Sequence, residues 1–312
     1  MTRILCGVDI GADTLVARLG RDGPEHTCRN TPEGLADLVA FCRTHRVDVV
    51  AMEATGGYER LAFGLLWGEG LACALLNPRA VRRFAEGMGV LEKTDRIDAG
   101  LIAWYAQVKA VRPTPLASAA QARLTALVTR LRQLTALKVS QSNQARLVTD
   151  PDALASFAPI LAAVAAQTRR LEALIAEALA ADPLWAALEA EFRTIKGVAG
   201  RTVALLMAEM PEIGTLSGKA AAKLAGLAPL ANDSGRRTGP RPIRAGRASV
   251  RGILFVVAEI VRRHEPDFQA FHQRLSQAGK PKKVIRVALA HKLLVRLNAK
   301  ARDLRAALPQ PA

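Results

Sequence analysis

The sequence has few of the residues that build disulfide-linked, zinc-ribbon or membrane-spanning proteins. Its cysteines form no CxxC pair and all lie in the first quarter of the chain: Cys6, Cys28, Cys42 and Cys73. No run of 18 or more uncharged apolar residues occurs, and the N-terminus MTRILCGVDIGADTL has no basic segment followed by an apolar one. We therefore expect a soluble cytoplasmic protein in a reducing compartment, with no membrane partner.

Acidic residues are scarce in the C-terminal part. Residues 1–190 hold 21 basic and 20 acidic side chains, whereas residues 191–312 hold 23 basic and only 8 acidic ones, so nearly all of the net charge of +16 is C-terminal. This asymmetry favours a surface that lies against a polyanion, and nucleic acid fits better than a membrane. The alternative is a solvated basic surface in a composition where arginine replaces lysine.

Aromatic residues make up only 4% of the chain, which argues against base stacking as the main mode of nucleic-acid contact. Phosphate contacts should dominate instead, so binding should weaken steeply as salt rises. The length of 312 residues predicts about two domains or more. Composition suggests three regions, which span residues 1–112, 113–190 and 191–312.

The first of these regions alternates between strand and helix patterns. We predict strands over 3–10, 14–19 and 25–29, a helix from Pro32, and then a strand, a helix and a strand over 47–52, 58–67 and 71–76. The order βββαβαβ is typical of a ribonuclease-H-like α/β fold.

The middle and C-terminal regions have helical patterns. An apolar stripe at 3-4-3 spacing predicts a long helix that Asp150-Pro151 interrupts, and a second helix spans 157–181; the stripe is Leu124, Leu127, Leu131 and Leu134. These helices indicate a coiled-coil or dimerising hairpin, with ordinary core helices as the alternative. The last region is predicted to be mainly α-helical, with a loop over 226–252.

Residues 195–202 resemble the turn of a helix-hairpin-helix motif. Its two glycines allow close backbone approach, and the helix that follows can present its N-terminus to a phosphate. Lys196 and Arg201 are then candidate nucleic-acid contacts. A plain turn between helices explains the pattern equally well.

Four acidic residues stand where packing does not require them. Asp9 lies at the end of one apolar strand, Glu53 follows another, and Asp95 and Asp98 share one face of the next helix. Burying lone carboxylates is costly, so a shared site for divalent ions explains them together. Oxygen ligands alone indicate Mg²⁺ or Mn²⁺, which can act on a phosphodiester. Taken singly, each acid also fits a turn, a cap or a solvated helix position.

Three motifs around these acids resemble the DEDD tetrad of the IS110 family of insertion-sequence transposases, whose first domain is RuvC-like. The motifs are V-D-I-G at 8–11, M-E-A-T-G-G-Y-E at 52–59 and K-T-D-R-I-D-A at 93–99. The resemblance continues through I-K-G-V-A-G, G-L-A-P and N-D-S-G over residues 195–235. It therefore covers most of the chain.

This resemblance implies a DNA recombinase with a serine nucleophile, which matches Ser234 here, activated by the metal-bound carboxylates when the domains meet in an assembled complex. It also implies a transient phosphoserine link to DNA, a structured guide RNA from the element that pairs with donor and target DNA, a homodimer or homotetramer, and a place on the bacterial nucleoid. Arginines follow Ser234 without an intervening acid and would form a phosphate cradle: Arg236, Arg237, Arg241, Arg244, Arg247 and Arg251.

Other interpretations stay open at this point. Ser234 also fits a turn residue in Asp-Ser-Gly, and Ser249 is a weaker nucleophile candidate. A RuvC-like nuclease or junction resolvase would need no serine chemistry. D-I-G-A-D-T at 9–14 also resembles the phosphate loop of actin-like kinases, and a DNA-binding protein without activity is a further possibility. The five scattered histidines suggest neither a zinc protease motif nor a Ser-His-Asp triad.

Overall fold

A computed structural model describes residues 3–235, 239 and 241–307. The chain forms two compact units, with the boundary in the sequence between Ala117 and Ser118, and each is described by itself. The predicted division into three parts stays a prediction.

The first unit has the predicted order of elements. Three strands come first, then a helix, a strand, a helix and a strand, and two helices close the unit: β1 (Leu5–Ile10), β2 (Thr14–Leu19), β3 (Glu25–Arg29), α1 (Pro32–Thr44), β4 (Val49–Glu53), α2 (Glu59–Gly68), β5 (Cys73–Leu76), α3 (Pro78–Gly87) and α4 (Asp95–Val108). The observed β4 extends one residue beyond the predicted strand, so Glu53 is its last residue rather than the residue after it.

The five strands form one mixed sheet in the order β3-β2-β1-β4-β5. The first three strands pair antiparallel, while β4 is parallel to both β1 and β5. A meander followed by parallel strands joined through helices fits the ribonuclease-H-like α/β fold that the element order predicts. It brings the carboxyl ends of β1 and β4 to the same edge of the sheet.

Both faces of this sheet are covered. One face packs Cys6, Val8 and Ile10 against α1 and α2. The other face packs Leu5 and Ala51 against α3 and α4. Side chains alternate between faces along a strand, so Asp9 belongs to the face that α3 and α4 cover.

The second unit is mainly helical, as predicted. Its helices are α5 (Ala119–Ala145), α6 (Pro151–Ala155), α7 (Phe157–Ala181), α8 (Pro183–Arg193), α9 (Gly200–Glu209), α10 (Gly218–Leu224), α11 (Ala248–His264), α12 (Pro266–Gln277) and α13 (Lys282–Ala307). Asp150 and Asp182 cap the helices that begin at the following prolines, which explains the two interruptions read from the sequence. Within the described ranges, no helix is long and apolar enough to cross a membrane.

Helices α5 and α7 pack against each other as a hairpin. Leu124, Leu131 and Leu134 are buried, and the first two belong to the same core as the helices from α8 to α13. Beyond Leu134, α5 contributes no buried residue. The base of the hairpin is therefore a core element, and the coiled-coil interpretation of its outer part stays a prediction.

Candidate functional site

The sheet places Asp9 and Glu53 side by side. Strands β1 and β4 run parallel with Gly7 opposite Ala51 and Val8 opposite Met52, and the same register continued by one residue sets Asp9 opposite Glu53. Neighbouring strands lie about 4.8 Å apart, and residues two apart share a face. Both carboxylates therefore project from one face at the carboxyl edge of the two strands.

Helix α4 brings the other two acids to this edge. A Cβ atom on Gly7 would lie 2.1 Å from the Ala99 carbonyl oxygen and 2.5 Å from the Ala103 nitrogen, so only glycine lets α4 cross β1 this closely. The C-terminal end of α4 lies near the start of β1, where Ala106 packs in the same core as Leu5. The helix thus runs opposite to β1.

The first turn of α4 consequently lies beside the end of β1. Thr94 caps the helix by accepting a hydrogen bond from the Ile97 nitrogen, and Asp95 and Asp98 occupy that first turn. Acidic residues are favourable there because they face the positive end of the helix dipole. Local capping and the close contact at Gly7 together position both carboxylates.

The pKa shifts of Asp9, Glu53 and Asp98 indicate that the acids at this edge repel one another. Burial, followed by repulsion from Asp98 and Asp95, raises the pKa of Asp9 to about 6. Burial and then the charges of Asp9 and Asp98 raise the pKa of Glu53. Burial is also the main reason that the pKa of Asp98 is raised, and the nearby Lys93 opposes the shift in all three. A divalent cation would relieve this repulsion.

The chemistry of the four candidate ligands suits a hard divalent cation, because each of them is a carboxylate and hard cations prefer oxygen ligands. Among the residues that the structure describes, however, no three His, Cys, Asp or Glu side chains are grouped closely enough to hold a metal ion. The four acids are thus gathered at one edge without forming a closed cage. Metal binding would have to draw their side chains together.

Two residues that the sequence reasoning missed hold the loop after Glu53. Glu59 accepts hydrogen bonds from the backbone nitrogens of Thr55 and Gly57 at 3.1 and 2.8 Å. Asn30 donates to the carbonyl oxygens of Gly11 and Tyr58 at 3.1 and 3.2 Å, which ties the β1–β2 turn to this loop. The spacing of Glu59 after a Gly-Gly pair was a usable signal for a loop cap, whereas Asn30 had none.

In the second unit, Ser234 lies in a loop whose two ends pair with each other. An isolated antiparallel bridge joins Pro229 to Ile243, and the Leu230 nitrogen donates to the Pro242 carbonyl oxygen at 3.1 Å. Ser234 is exposed. We call the described part of residues 229–243 the serine hairpin. Ser234 thus presents its hydroxyl to solvent, and the nucleophile assignment stays a prediction.

Several predicted phosphate ligands are instead bound to protein groups. Arg241 donates to Asp233 at 2.8 Å, Arg251 donates to the Ala245 carbonyl oxygen at 2.5 Å, and Arg247 donates to both oxygens of Glu212. Arg244 lines a surface pocket together with Gly246, just after the loop. Arg236 and Arg237 lie outside the described residues. The run of arginines therefore holds the loop in part, and the phosphate cradle stays a prediction.

The turn between α8 and α9 carries acids as well as bases. Arg201 forms an ion pair with Glu172, and the backbone nitrogen of Lys196 donates to Glu265 at 3.3 Å. Glu189 lies 3.3 Å from the place of a Cβ atom on Gly200, at the start of α9. A carboxylate beside this helix N-terminus competes with any phosphate, so the plain-turn alternative gains support. The contacts of Lys196 and Arg201 with nucleic acid stay predictions.

The weaker nucleophile candidate has a structural role. The hydroxyl of Ser249, in the first turn of α11, donates to Glu209, which also pairs with Arg132 at 2.7 Å. This network joins α11, α9 and α5. Ser249 therefore differs from Ser234, whose side chain forms no hydrogen bond with another described residue.

Comparison with known proteins shows which family has this combination of parts. Residues 6–150 match the family model of DEDD transposases of the IS110 type, and residues 189–273 match the model described as Transposase IS116/IS110/IS902 family. The two matches together cover well over half of the chain, in the expected order. The chain belongs to the IS110 family of transposases. The IS110 resemblance read from the motifs is thereby confirmed.

Relatives of this IS110-family transposase include two proteins from Moraxella lacunata and Moraxella bovis, each described as a pilin gene-inverting protein. Each is 27% identical to this chain over 313 residues, and the match covers 94% of both sequences. A solved structure described as Thermus thermophilus RuvC matches 36% of this chain and 99% of its own, with 16% identity and a TM-score of 0.29. Family membership makes the chain a DNA-processing enzyme.

The Arg247–Glu212 pair offers a test of how the transposase ties the start of α11 to the segment after α9. The Arg247 guanidinium donates through both terminal nitrogens to the Glu212 carboxylate, each at 2.6 Å. Burial alone would raise the pKa of Glu212, but the hydrogen bonds from Arg247 hold it below its ordinary value. We expect Arg247→Met to lower the unfolding free energy at pH 7 by about 1–2 kcal/mol, because bidentate charged bonds are strong.

This loss should shrink as the pH falls through the lowered pKa of Glu212, since protonation removes the same interaction from the wild type. Chemical denaturation at pH 7 and below pH 4 measures it. Arg302→Met is the matched control, because Arg302 and its neighbour Asp303 form an exposed ion pair, with 60% and 73% of their side-chain surface accessible. Equal losses in the two variants would contradict a specific role for the Arg247–Glu212 pair.

Proposed function

We propose that this IS110-family transposase excises and inserts mobile DNA by cutting and rejoining strands at element ends and target sites. In this proposal Asp9, Glu53, Asp95 and Asp98 hold Mg²⁺ or Mn²⁺, and Ser234 forms a transient phosphoserine bond to DNA. A structured RNA from the element pairs with donor and target DNA, and a homodimer or homotetramer carries out the reaction. The observation that carries the proposal is the gathering of four acids at one edge of the sheet.

The chemistry needs little beyond positioning and charge. The Ser234 oxygen attacks the phosphorus, the bond from phosphorus to the neighbouring sugar oxygen breaks, and the serine proton is transferred in net to that leaving oxygen. Attack by a sugar hydroxyl on the phosphoserine reseals a strand by the reverse of this step. A bound divalent cation would supply Lewis-acid stabilisation of the phosphate charge. The exposure of Ser234 supports access of DNA to its hydroxyl.

Inversion of a DNA segment is a second candidate, suggested by the name of the Moraxella relatives. It uses the same cutting and rejoining with both sites on one DNA molecule. A metal-dependent nuclease or junction resolvase without serine chemistry is the alternative from another mechanistic class. The acid cluster alone is compatible with this alternative, so the covalent link decides between them.

Reconstitution with purified components tests the proposal. We expect joined donor–target DNA and a denaturation-resistant protein–DNA adduct when the protein is mixed with element-end DNA, target DNA, the RNA flanking the element and Mg²⁺. Both products should disappear with EDTA, return with Mn²⁺ and disappear when the RNA is omitted. Gel electrophoresis under denaturing conditions measures them. Cleavage that needs metal but neither RNA nor an adduct would support the nuclease instead.

A further inference from the structure

A cavity of about 580 Å³ lies in the second unit between the base of the serine hairpin and helix α13. Its interior is mainly apolar, and its lining includes Pro229, Pro242 and Ile243 from the hairpin and Val284, Val287 and Ala288 from the helix. The volume lies within the range of about 300–1,000 Å³ that is usual for small organic ligands. Val284 is 51% exposed, so an apolar side chain stands open to solvent at this site.

All the charged side chains that line this cavity are cationic, namely Arg241, Lys283 and Lys292. Arg241 and Lys292 are already paired with Asp233 and Asp267, at 2.8 and 3.1 Å. Lys283 forms no ion pair within the part of the chain that the structure describes. The cavity therefore combines an apolar interior with an available cation.

His291 adds a hydrogen-bonding group to the wall. Burial lowers its pKa, so its imidazole is neutral at pH 7 and offers one donor and one acceptor. Phe271, the aromatic ring in the lining, has the ammonium of Lys292 and the guanidinium of Arg274 each 5.1 Å from its centre. A ring flanked by cations is a poor stacking platform, so shape and edge contacts must hold a ligand here.

We propose that this cavity takes an unpaired base of a DNA strand, with the phosphate next to that base bound by Lys283. A base is planar with apolar faces and polar edges, and its neighbouring phosphates are anionic, which matches the apolar walls, the imidazole and the cation. An apolar peptide would explain the walls but would leave the Lys283 ammonium without an anionic partner. DNA rather than RNA is assigned because one wall belongs to the hairpin that carries Ser234, and this choice rests on the function proposed above.

Equilibrium binding of two DNA duplexes tests the cavity separately from catalysis. The duplexes are identical except that one holds a single unpaired 2-aminopurine, and all proteins carry Ser234→Ala and are measured in EDTA. We expect the otherwise unchanged protein to bind the unpaired probe about tenfold more tightly than the paired one, with a change in 2-aminopurine fluorescence. Absence of this preference would overturn the proposal, whatever the result of the recombination assay.

Two pairs of variants locate the preference. Ala288→Trp fills the cavity and should remove the preference, whereas Ala270→Trp adds the same ring at an exposed position of α12 and should keep it. Lys283→Glu should weaken binding of the unpaired probe more than that of the paired one. Lys282→Glu makes the same change at the neighbouring exposed residue, outside the lining, and should weaken both probes equally.

The comparison of Lys283→Glu with Lys282→Glu keeps the test valid if Ala288→Trp fails to fold, because both lysines are exposed. An unchanged preference in Lys283→Glu would overturn the proposal. An RNA duplex of the same sequence forms the last arm. A preference seen with RNA and not with DNA would overturn the assignment to a DNA strand.

Discussion

Replacing Ser234 by alanine is expected to abolish the covalent protein–DNA adduct and to reduce recombination by about a thousandfold or more, since the residue would supply the attacking atom. Folding should be unaffected, because Ser234 is exposed and its side chain makes no hydrogen bond with another described residue. The melting temperature is therefore expected to stay within about 1 °C of that of the wild type. Denaturing gels and thermal melts of the same preparations measure both effects.

Ser249→Ala is the matched control for this experiment. It removes a hydroxyl of the same chemistry from the same unit, but this hydroxyl, in the first turn of α11, donates to Glu209 at the end of α9. We expect a loss of stability of about 1 kcal/mol with the adduct retained. An adduct that survives in Ser234→Ala and disappears in Ser249→Ala would reverse the assignment. Unimpaired DNA cleavage in both variants would favour the nuclease without serine chemistry.

Replacing Asp9 by asparagine is expected to reduce strand cleavage by about a thousandfold while making the folded protein more stable at neutral pH. The activity falls because a central metal ligand is lost. The stability rises because Asp9 is half-buried and repelled by Asp98 and Asp95, so its charge destabilises the folded state. A higher melting temperature together with lower activity separates this functional acid from a structural one.

The pH dependence of stability follows from the same group. The pKa of Asp9 is about 6 in the folded state and 3.8 in the reference state, so between these values the folded protein binds more protons than the unfolded chain. The wild type should therefore lose stability as the pH rises from about 4 to 6, and Asp9→Asn should lack this contribution. Because Asp9 is partly exposed, solvent screening limits the effect to a few degrees of melting temperature.

Magnesium should act in the opposite direction. Binding to the gathered carboxylates should raise the melting temperature of the wild type at pH 7, and should do so much less in Asp9→Asn. Asp13→Asn is the matched control, since Asp13 is exposed in the following turn. Equal stabilisation of all three proteins by Mg²⁺ would contradict a metal site at this edge.

The order of elements in the first unit could be predicted because each strand is a short apolar run and each helix has a local start. Pro32 follows the cap residue Thr31, and Thr94 precedes the first turn of α4. Asp9 and Glu53 stood out for a related reason, since a carboxylate at the end of a buried strand is costly unless something binds it. Each of these signals involves only a few neighbouring residues of the chain.

The partners of the arginines could not be predicted in this way. Arg247 binds Glu212, 35 residues away, and Arg201 binds Glu172, 29 residues away. A run of arginines without acids therefore looked like a continuous phosphate cradle, although the segment after α9 supplies Glu212 to it. For the same reason, the sequence did not reveal that the base of the α5–α7 hairpin shares one core with the C-terminal helices.

The sequence by itself determined the succession of strands and helices, the charge asymmetry and the candidate acids, because these depend on neighbouring residues and on composition. Only the tertiary structure decided that α4 crosses β1 at Gly7, which of the described arginines are bound to acids, and that an apolar cavity opens beside the serine hairpin. These features depend on which distant segments pack together. Packing between residues far apart in the chain leaves no periodic or local pattern in a single sequence.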